Sequence, residues 1–486
     1  MHEEYGPIIR VNPHEIHIQD PSFYQQIYTS GTRKIDKDPS TVSGFSVPGS
    51  VAATVEHFHH RRRRGYINPY FSKKAIVALE PDIHERITAL SNRFRQAMAN
   101  GNHISCDKSI SAMTADIILK RFYGQHYDYV NQPNFEFPIR DGFSGVSLIF
   151  HLARFAPRLI PVLRKLPIPV INCVLPKVAN FLILEKDIKD KMVANLATEK
   201  QRNSGKKSII LESLADERIP EEERTMKRLV DEGLVITIAG TETSARALSV
   251  GIFYLLSNKS LITRLREEIA AAVPRDQLPE TWTLQQLEHL PFLTGCVKEA
   301  LRLSFGPIIR LPRISREETL QYKEYTIPPG YPVSQSTWIV HTDASVFVDP
   351  LKYDPERWIR AAEQGFQLDN FMVTFTKGRR QCLGINMAYA EIYLTMARLM
   401  YTFDMELWNT TLHDLQIHHV RIIGSPKYDK ERGPTQGEIK VKILNEKKNG
   451  FIGDRIMTIY LIDEGSILIA PVQILLRSDM SQITSS

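Results

Sequence analysis

Cysteine is scarce in this 486-residue chain: Cys106, Cys173, Cys296 and Cys382 are scattered, with no Cys-x-x-Cys pair. That spacing excludes a disulfide scaffold and a cysteine-built zinc cluster, and it fits a reducing compartment. Long apolar runs are lacking too. No stretch reaches about 18 uninterrupted apolar residues, so no membrane-spanning helix is expected. The start, Met1-His2-Glu3-Glu4-Tyr5-Gly6-Pro7, has neither a basic leader nor an apolar core, and does not read as a signal peptide. Charge of one sign is also modest. The net charge is +6 and the only dense basic run is Arg61 to Arg64, which gives nucleic-acid binding little support. A basic face towards an acidic redox partner fits the same balance.

What is present is ordinary globular material, 43% hydrophobic and 24% charged, enough for one large domain or two to three average ones. The most informative stretch is Phe375-Thr376-Lys377-Gly378-Arg379-Arg380-Gln381-Cys382-Leu383-Gly384, just ahead of an apolar helical pattern from Leu383 through Tyr401. Cys382 reads as a metal-binding thiolate. Nearby positive charge from Arg379 and Arg380, together with backbone N–H groups at a helix start, is expected to depress its pKa. Gly378 and Gly384 lack a Cβ, which lets the backbone turn tightly around the sulfur and a flat cofactor lie close to it. Phe375 is expected to pack under the loop.

The pattern Phe-x-x-Gly-x-Arg-x-Cys-x-Gly resembles the heme-binding loop of cytochrome P450 monooxygenases, whose iron takes a cysteine thiolate. Five fixed residues at fixed spacing arise by chance in a chain this long at a frequency of only ~0.0001. The resemblance implies heme b with Cys382 as axial ligand, and a mainly α fold with small β-sheets. Its matched elements run from about Ile8 to Leu444, so residues 1–444 are expected to form the heme-binding domain and 445–486 an unmatched extension.

In chain order, Ile8 to Ile18 alternates apolar and polar residues around Asn-Pro and reads as a hairpin, followed by a helix at Pro21 to Tyr28. The family carries an anchor, a hinge and a first helix ahead of this hairpin, and these are expected to be missing. The run His57 to Ser72 places four arginines on a helix, where His60 and Arg64 share a face. Heme brings two carboxylates that need matched cations on burial. The resemblance assigns His60 and Arg64 to that role, with Arg313 and Arg380 as further contacts, and leaves Arg61 and Arg62 on a solvated face.

Between Phe143 and Leu184, apolar residues are broken by Pro157, Pro161, Pro167, Pro169 and Pro176, so no single helix can form. Either this region caps a substrate cavity and touches a membrane surface, as in the family, or it is an ordinary packed helix pair. The charged run Glu185 to Lys207 reads as a helix end and exposed loop. The longest helical signal spans Glu221 to Leu256, opening with an acidic first turn and becoming apolar in its middle.

Inside that helix lies Ala239-Gly240-Thr241-Glu242-Thr243. A mid-helix glycine costs about 1 kcal/mol and a buried glutamate more, so a functional compensation is expected. The segment resembles the family's oxygen-activation motif. Gly240 would let the helix open, Thr243 would hydrogen-bond dioxygen, and Glu242 would relay protons from solvent. The bland alternative is a threonine bonding back to the preceding turn.

An amphipathic helix is expected near Leu261 to Val273, and another over Pro291 to Arg302. Glu299 and Arg302 share a face there, and the family joins this pair to an arginine supplied here by Pro355-Glu356-Arg357-Trp358 as a buried structural cluster. Tyr325 to Val333 reads as strand, Pro-Pro-Gly turn and strand, and Glu438 to Leu444 as a final strand. Ile456 to Leu476 carries Asp463, Glu464 and Pro471 and is expected to be a poorly packed extension.

Arg-Leu-Pro-Arg, Pro-Glu-Arg-Trp and the helix Ile385-Asn-Met-Ala-Tyr-Ala-Glu are most similar to the fungal secondary-metabolism branch related to trichodiene oxygenase. The resemblance implies a monooxygenase hydroxylating or epoxidising a lipophilic terpenoid or polyketide. It also implies O2, electrons from NADPH-cytochrome P450 reductase, a monomer, and the endoplasmic reticulum surface or cytoplasm as location. Two alternatives stand beside it: a heme protein without oxygenase activity, such as a rearrangement enzyme, and an inactive relic.

Overall fold

The computed structural model describes the chain except for residues 125–126, 157, 203–208, 210–211, 214–215, 275, 428–429, 431–436, 448–456, 464–465 and 473–486. It is mainly helical with small sheets, as the sequence implied. The longest helix, Met226–Ser257, runs through the core and is buried on most of its circumference. It starts later than its acidic flank suggests. Thr225 caps it by accepting from the Arg228 N–H, while Glu221–Glu223 forms a separate 3-10 turn. That turn aims Glu223 inward, onto Arg63 at 2.8 Å, Arg228 at 3.1 Å and His59 at 2.7 Å.

Helices Cys106–Tyr123 and Ile385–Thr402 pack against this central helix from two sides, and helix Pro291–Ser304 from a third. A five-stranded sheet lies beside them, in the order Ile8–Asn12, Glu15–Ile18, Pro332–Ser334, Arg313–Ser315 and Ile35–Lys37. The expected hairpin supplies its first two strands. Tyr325–Ile327 pairs instead with Leu320–Tyr322, so the Pro-Pro-Gly turn joins two different sheets.

The proline-broken region forms helices Pro138–Phe155, Leu159–Leu163, Ile168–Val174 and Pro176–Arg202. The last of these corrects the expected loop after Glu185. Charged pairs at helical spacing, such as Lys191 and Asp187 at 2.6 Å, keep the run helical. The final strand, Lys440–Glu446, pairs with His103–Ser105 and Phe403–Leu407. Within the extension expected to be poorly packed, Met457–Asp463 and Ser466–Val472 pair as antiparallel strands, while 448–456, 464–465 and 473–486 lie outside the described residues.

Candidate functional site

The cysteine loop is shaped by backbone contacts. Gly378 adopts φ +75°, and a Cβ there would stand 2.3 Å from the Thr29 carbonyl oxygen, so only glycine fits. Gly384 is different. Its φ of −86° suits any residue, and a Cβ would meet nothing within 4 Å, because it faces open cavity rather than a tight turn. The Cys382 N–H donates to the Phe375 carbonyl at 2.9 Å, and the Phe375 ring rests 5.4 Å from Tyr389.

The expected electrostatics of Cys382 are corrected here. Arg379 turns away, donating to the Gly31 carbonyl at 3.0 Å in an exposed position, and Arg380 donates to the Thr54 and Val55 carbonyls. Burial pushes the thiol up; the Gly384 N–H and the more distant Arg64 offset this only in part. Cys382 has accessible surface only because it borders the cavity. Burial thus opposes a bare thiolate there, and a cation bound at the sulfur would offset it.

That cavity measures about 320 Å³ and is lined mainly by apolar side chains, among them Val42, Phe45, Ile118, Val235, Ala247 and Leu301. His60, Arg64, Gly240, Thr243, Arg313, Phe375, Arg380, Cys382 and Gly384 all reach it. Glu242 does not line it. Its Oε2 lies 3.7 Å from Arg140 Nη1 of helix Pro138–Phe155. Gly240 also departs from expectation, since the helix is unbroken there. A Cβ would sit 3.3 Å from Ile118 Cγ1, so the glycine allows close helix approach. Thr243 Oγ1 donates to the Ala239 carbonyl at 2.7 Å, the backward bond to the preceding turn, while still facing the cavity.

One wall is a cationic cluster. Arg64 donates to the Gln381 carbonyl at 2.6 Å, next to the cysteine, and Arg313 lies over the Tyr28 ring at 5.0 Å. Arg313 is 4% exposed, buried on its strand at the cavity wall. Lys37, which sequence reasoning missed, joins them. Burial, with mutual repulsion in most of them, holds the group below ordinary values: Arg380 falls to about 9, and His60 and Lys37 also drop. Arg380 Nε is buried without a hydrogen-bond partner. Two ligand carboxylates would satisfy this wall while Cys382 would offer its sulfur to a metal in the same cavity, so the residues present fit heme.

Sequence reasoning also missed Glu391, a cavity-lining carboxyl on helix Ile385–Thr402 that burial raises to about 8. Its signal was a lone acid inside a strongly apolar helix. The expected ion cluster forms outside the cavity: Glu299, Arg302 and Arg357 are 0%, 0% and 7% exposed, and Glu299 bridges both arginines.

Residues 1–428 match the family model described as Cytochrome P450. The chain is 48% identical over 447 residues to cytochrome P450 monooxygenase TRI4 of Trichoderma arundinaceum, covering 92% of this chain and 86% of that protein. It is 47% identical over 446 residues to TRI4 of Fusarium sporotrichioides (91% and 85% covered), and 47% identical over 450 residues to SAT11 of Stachybotrys chartarum (92% and 84%). Its fold matches a retinoic acid-bound cyanobacterial CYP120A1 with a TM-score of 0.69 at 21% identity, covering 92% of this chain and 93% of that one. Matched by that family model over most of its length, and 47–48% identical to these monooxygenases, the chain belongs to the cytochrome P450 family.

Proposed function

We propose that this P450 monooxygenase hydroxylates or epoxidises a lipophilic secondary metabolite of the terpenoid or polyketide class, with electrons from NADPH-cytochrome P450 reductase. The observation that carries the reading is the position of Cys382, facing an apolar chamber beside the cluster His60, Arg64, Arg313, Arg380 and Lys37. Cys382 Sγ is the iron ligand, and the cationic cluster holds the heme carboxylates. Phe375 and Gly384 shape the surface against which heme lies. We assign residues 1–444 to this domain, and its last strand carries it on to Glu446, where Asn445 and Glu446 still pair with Asp404 and Phe403.

Bound heme supplies reductive activation of dioxygen, one atom entering the product and the other leaving as water. The chain contributes shape and protons. The apolar lining excludes water and orients the substrate. Thr243 donates its hydroxyl proton to the Ala239 carbonyl, so its lone pairs are what it offers the cavity: it accepts a hydrogen bond there, and relays a proton by turning its O–H from Ala239 towards the cavity as it takes up the next one. Glu242, held near Arg140 just outside the lining, feeds that relay from the far side.

No helix among the described residues is long and apolar enough to cross a membrane. Peripheral contact at the endoplasmic reticulum surface is supported by exposed Phe155, Val162, Val170 and Val174 beside exposed Arg158, Lys165 and Lys177.

Carbon monoxide added to the dithionite-reduced protein should give the far-red-shifted Soret band of thiolate ligation. A folded, heme-loaded sample without that band, or a Cys382→Ala protein that keeps it, would refute the assignment. Comparing metabolites of a host with and without the gene, then feeding back the accumulated precursor, tests the substrate class.

A further inference from the structure

His341 closes the short helix Thr337–His341 and is fully buried, and it is not among the residues lining the cavity. Nothing in the motif pattern singles it out. Both of its ring nitrogens are engaged: Nε2 lies 3.0 Å from the Val373 amide nitrogen and Nδ1 lies 3.0 Å from the Arg302 carbonyl oxygen. The Val373 N–H can only donate, so Nε2 is an acceptor and carries no proton. The remaining proton sits on Nδ1 and donates to Arg302. One neutral tautomer is thereby fixed, and burial, reinforced by the Arg302 charge, keeps the ring from gaining a second proton.

The two partners explain the arrangement. On one side, Arg302 belongs to the buried ion cluster, and its Nη1 returns a bond to the His341 carbonyl at 2.9 Å. On the other, Val373 opens the segment that becomes the cysteine loop. Its carbonyl accepts from the Thr376 N–H at 2.9 Å, and Thr374 Oγ1 donates to the Leu301 carbonyl at 3.0 Å. Thr376 is held at φ +57°, a region a β-branched residue enters only when its neighbours enforce it. Phe375, inside this turn, accepts the Cys382 N–H at 2.9 Å. An unbroken run of hydrogen bonds and short backbone links thus joins Arg302 to the backbone of Cys382.

We propose that His341 is the positioning residue for Cys382: its single tautomer transmits the register of the Glu299–Arg302–Arg357 cluster to the cysteine loop through the Val373 amide. The inference rests on Cys382 being the heme ligand. A residue serving only as core filling would contribute its aromatic volume against Phe305 and Phe347, which a phenyl ring also supplies.

The test uses the full, heme-loaded chain. In the wild-type protein, the Val373 amide should exchange with deuterium as slowly as the core amides of helix Pro291–Ser304; exchange at an exposed-loop rate overturns the proposal. His341→Phe keeps the ring and loses both bonds. It should move much of the reduced, carbon monoxide-bound Soret band off the thiolate position and quicken Val373 exchange about tenfold. His341→Gln, which retains a donor and an acceptor, should keep the wild-type band. A folded His341→Phe protein with wild-type band and exchange, or a His341→Gln protein shifted as far as His341→Phe, overturns the assignment. If His341→Phe does not fold, wild-type exchange and His341→Gln decide. A wild-type protein that never shows the thiolate band instead refutes the Cys382 assignment, a separate failure.

Discussion

Arg302 and Glu299 meet through two parallel hydrogen bonds, Nε to Oε1 and Nη2 to Oε2, each 2.8 Å, with both side chains sealed from solvent. Glu299 also accepts from the Asp354 N–H at 2.9 Å and from Trp358 Nε1 at 3.0 Å. Its lone pairs are saturated, which is the condition for a buried ion pair to persist. Glu299→Ala leaves Arg302, Arg357 and the Trp358 N–H without their acceptor, and should cost about 3–5 kcal/mol. Arg357 keeps the Val348 and Lys352 carbonyls and Arg302 keeps the His341, Pro350 and Lys352 carbonyls, so the side-chain groups that lose their only acceptor are Arg302 Nε and Trp358 Nε1. Urea unfolding of the heme-loaded chain measures this, and a loss under about 1 kcal/mol would contradict it.

The two glycines beside Cys382 should separate stability from cofactor binding. At Gly378, alanine meets the Thr29 carbonyl and a left-handed φ, so Gly378→Ala displaces the loop, lowers the melting temperature and reduces thiolate ligation together. At Gly384 the same change meets open space at an ordinary φ. Gly384→Ala should leave the stability of the heme-free protein within about 0.5 kcal/mol of wild type, yet lower heme occupancy on reconstitution, because the methyl group occupies room the flat ring needs. Equal effects of the two substitutions on stability would contradict this reading.

This contrast shows what was legible in the sequence. Phe375, Arg380, Cys382 and Gly384 of the cysteine motif all border one cavity, because fixed spacing along a loop translates directly into contact. The motif could not tell which of two glycines was conformational, since that depends on Thr29, distant in the chain. Arg379 and Arg380 are adjacent yet diverge, one to solvent and one inward, and adjacency in sequence carries no sign for that. Lys37 and Glu391 reach the cavity only through tertiary packing, and the helix after Glu185 was misjudged because charge density hides helical pairing.

Thr243 should behave as a hydrogen-bonding relay rather than only as a structural bond. Thr243→Ala removes the hydroxyl while the helix keeps its backbone bonds, so NADPH consumption should continue while product per NADPH falls about tenfold or more. Thr243→Ser retains the oxygen and should restore most of the coupling. Unchanged coupling in Thr243→Ala would instead favour a heme protein without oxygenase chemistry.

The exposed apolar residues between Phe155 and Val174 make a prediction that activity assays do not need. Phe155 and Val174 are 88% and 74% exposed. The full chain should sediment with vesicles containing anionic lipid, and Phe155→Asp combined with Val174→Asp should weaken that binding at least about tenfold, since each apolar side chain contributes on the order of 1 kcal/mol or more on burial. Binding unaffected by the pair would assign membrane attachment elsewhere.

Glu391 makes the pH dependence of stability specific. Burial raises its carboxyl from 4.5 to about 8, the Ser244 side chain opposing this only in part, so the folded protein keeps the proton over an interval in which the unfolded chain has released it. The native state then binds more protons than the unfolded state, and stability must fall as pH rises from about 4.5 to about 8, levelling above. Glu391→Gln cannot titrate and lacks this term. The stability of Glu391→Gln relative to wild type should therefore grow across that window and stay constant beyond it, read from urea midpoints in a pH series. A neutral carboxyl also keeps charge out of a chamber built for apolar ligands. A flat difference across the series would mean that Glu391 is ionised in the folded protein, and the chamber would then have to accommodate a buried negative charge.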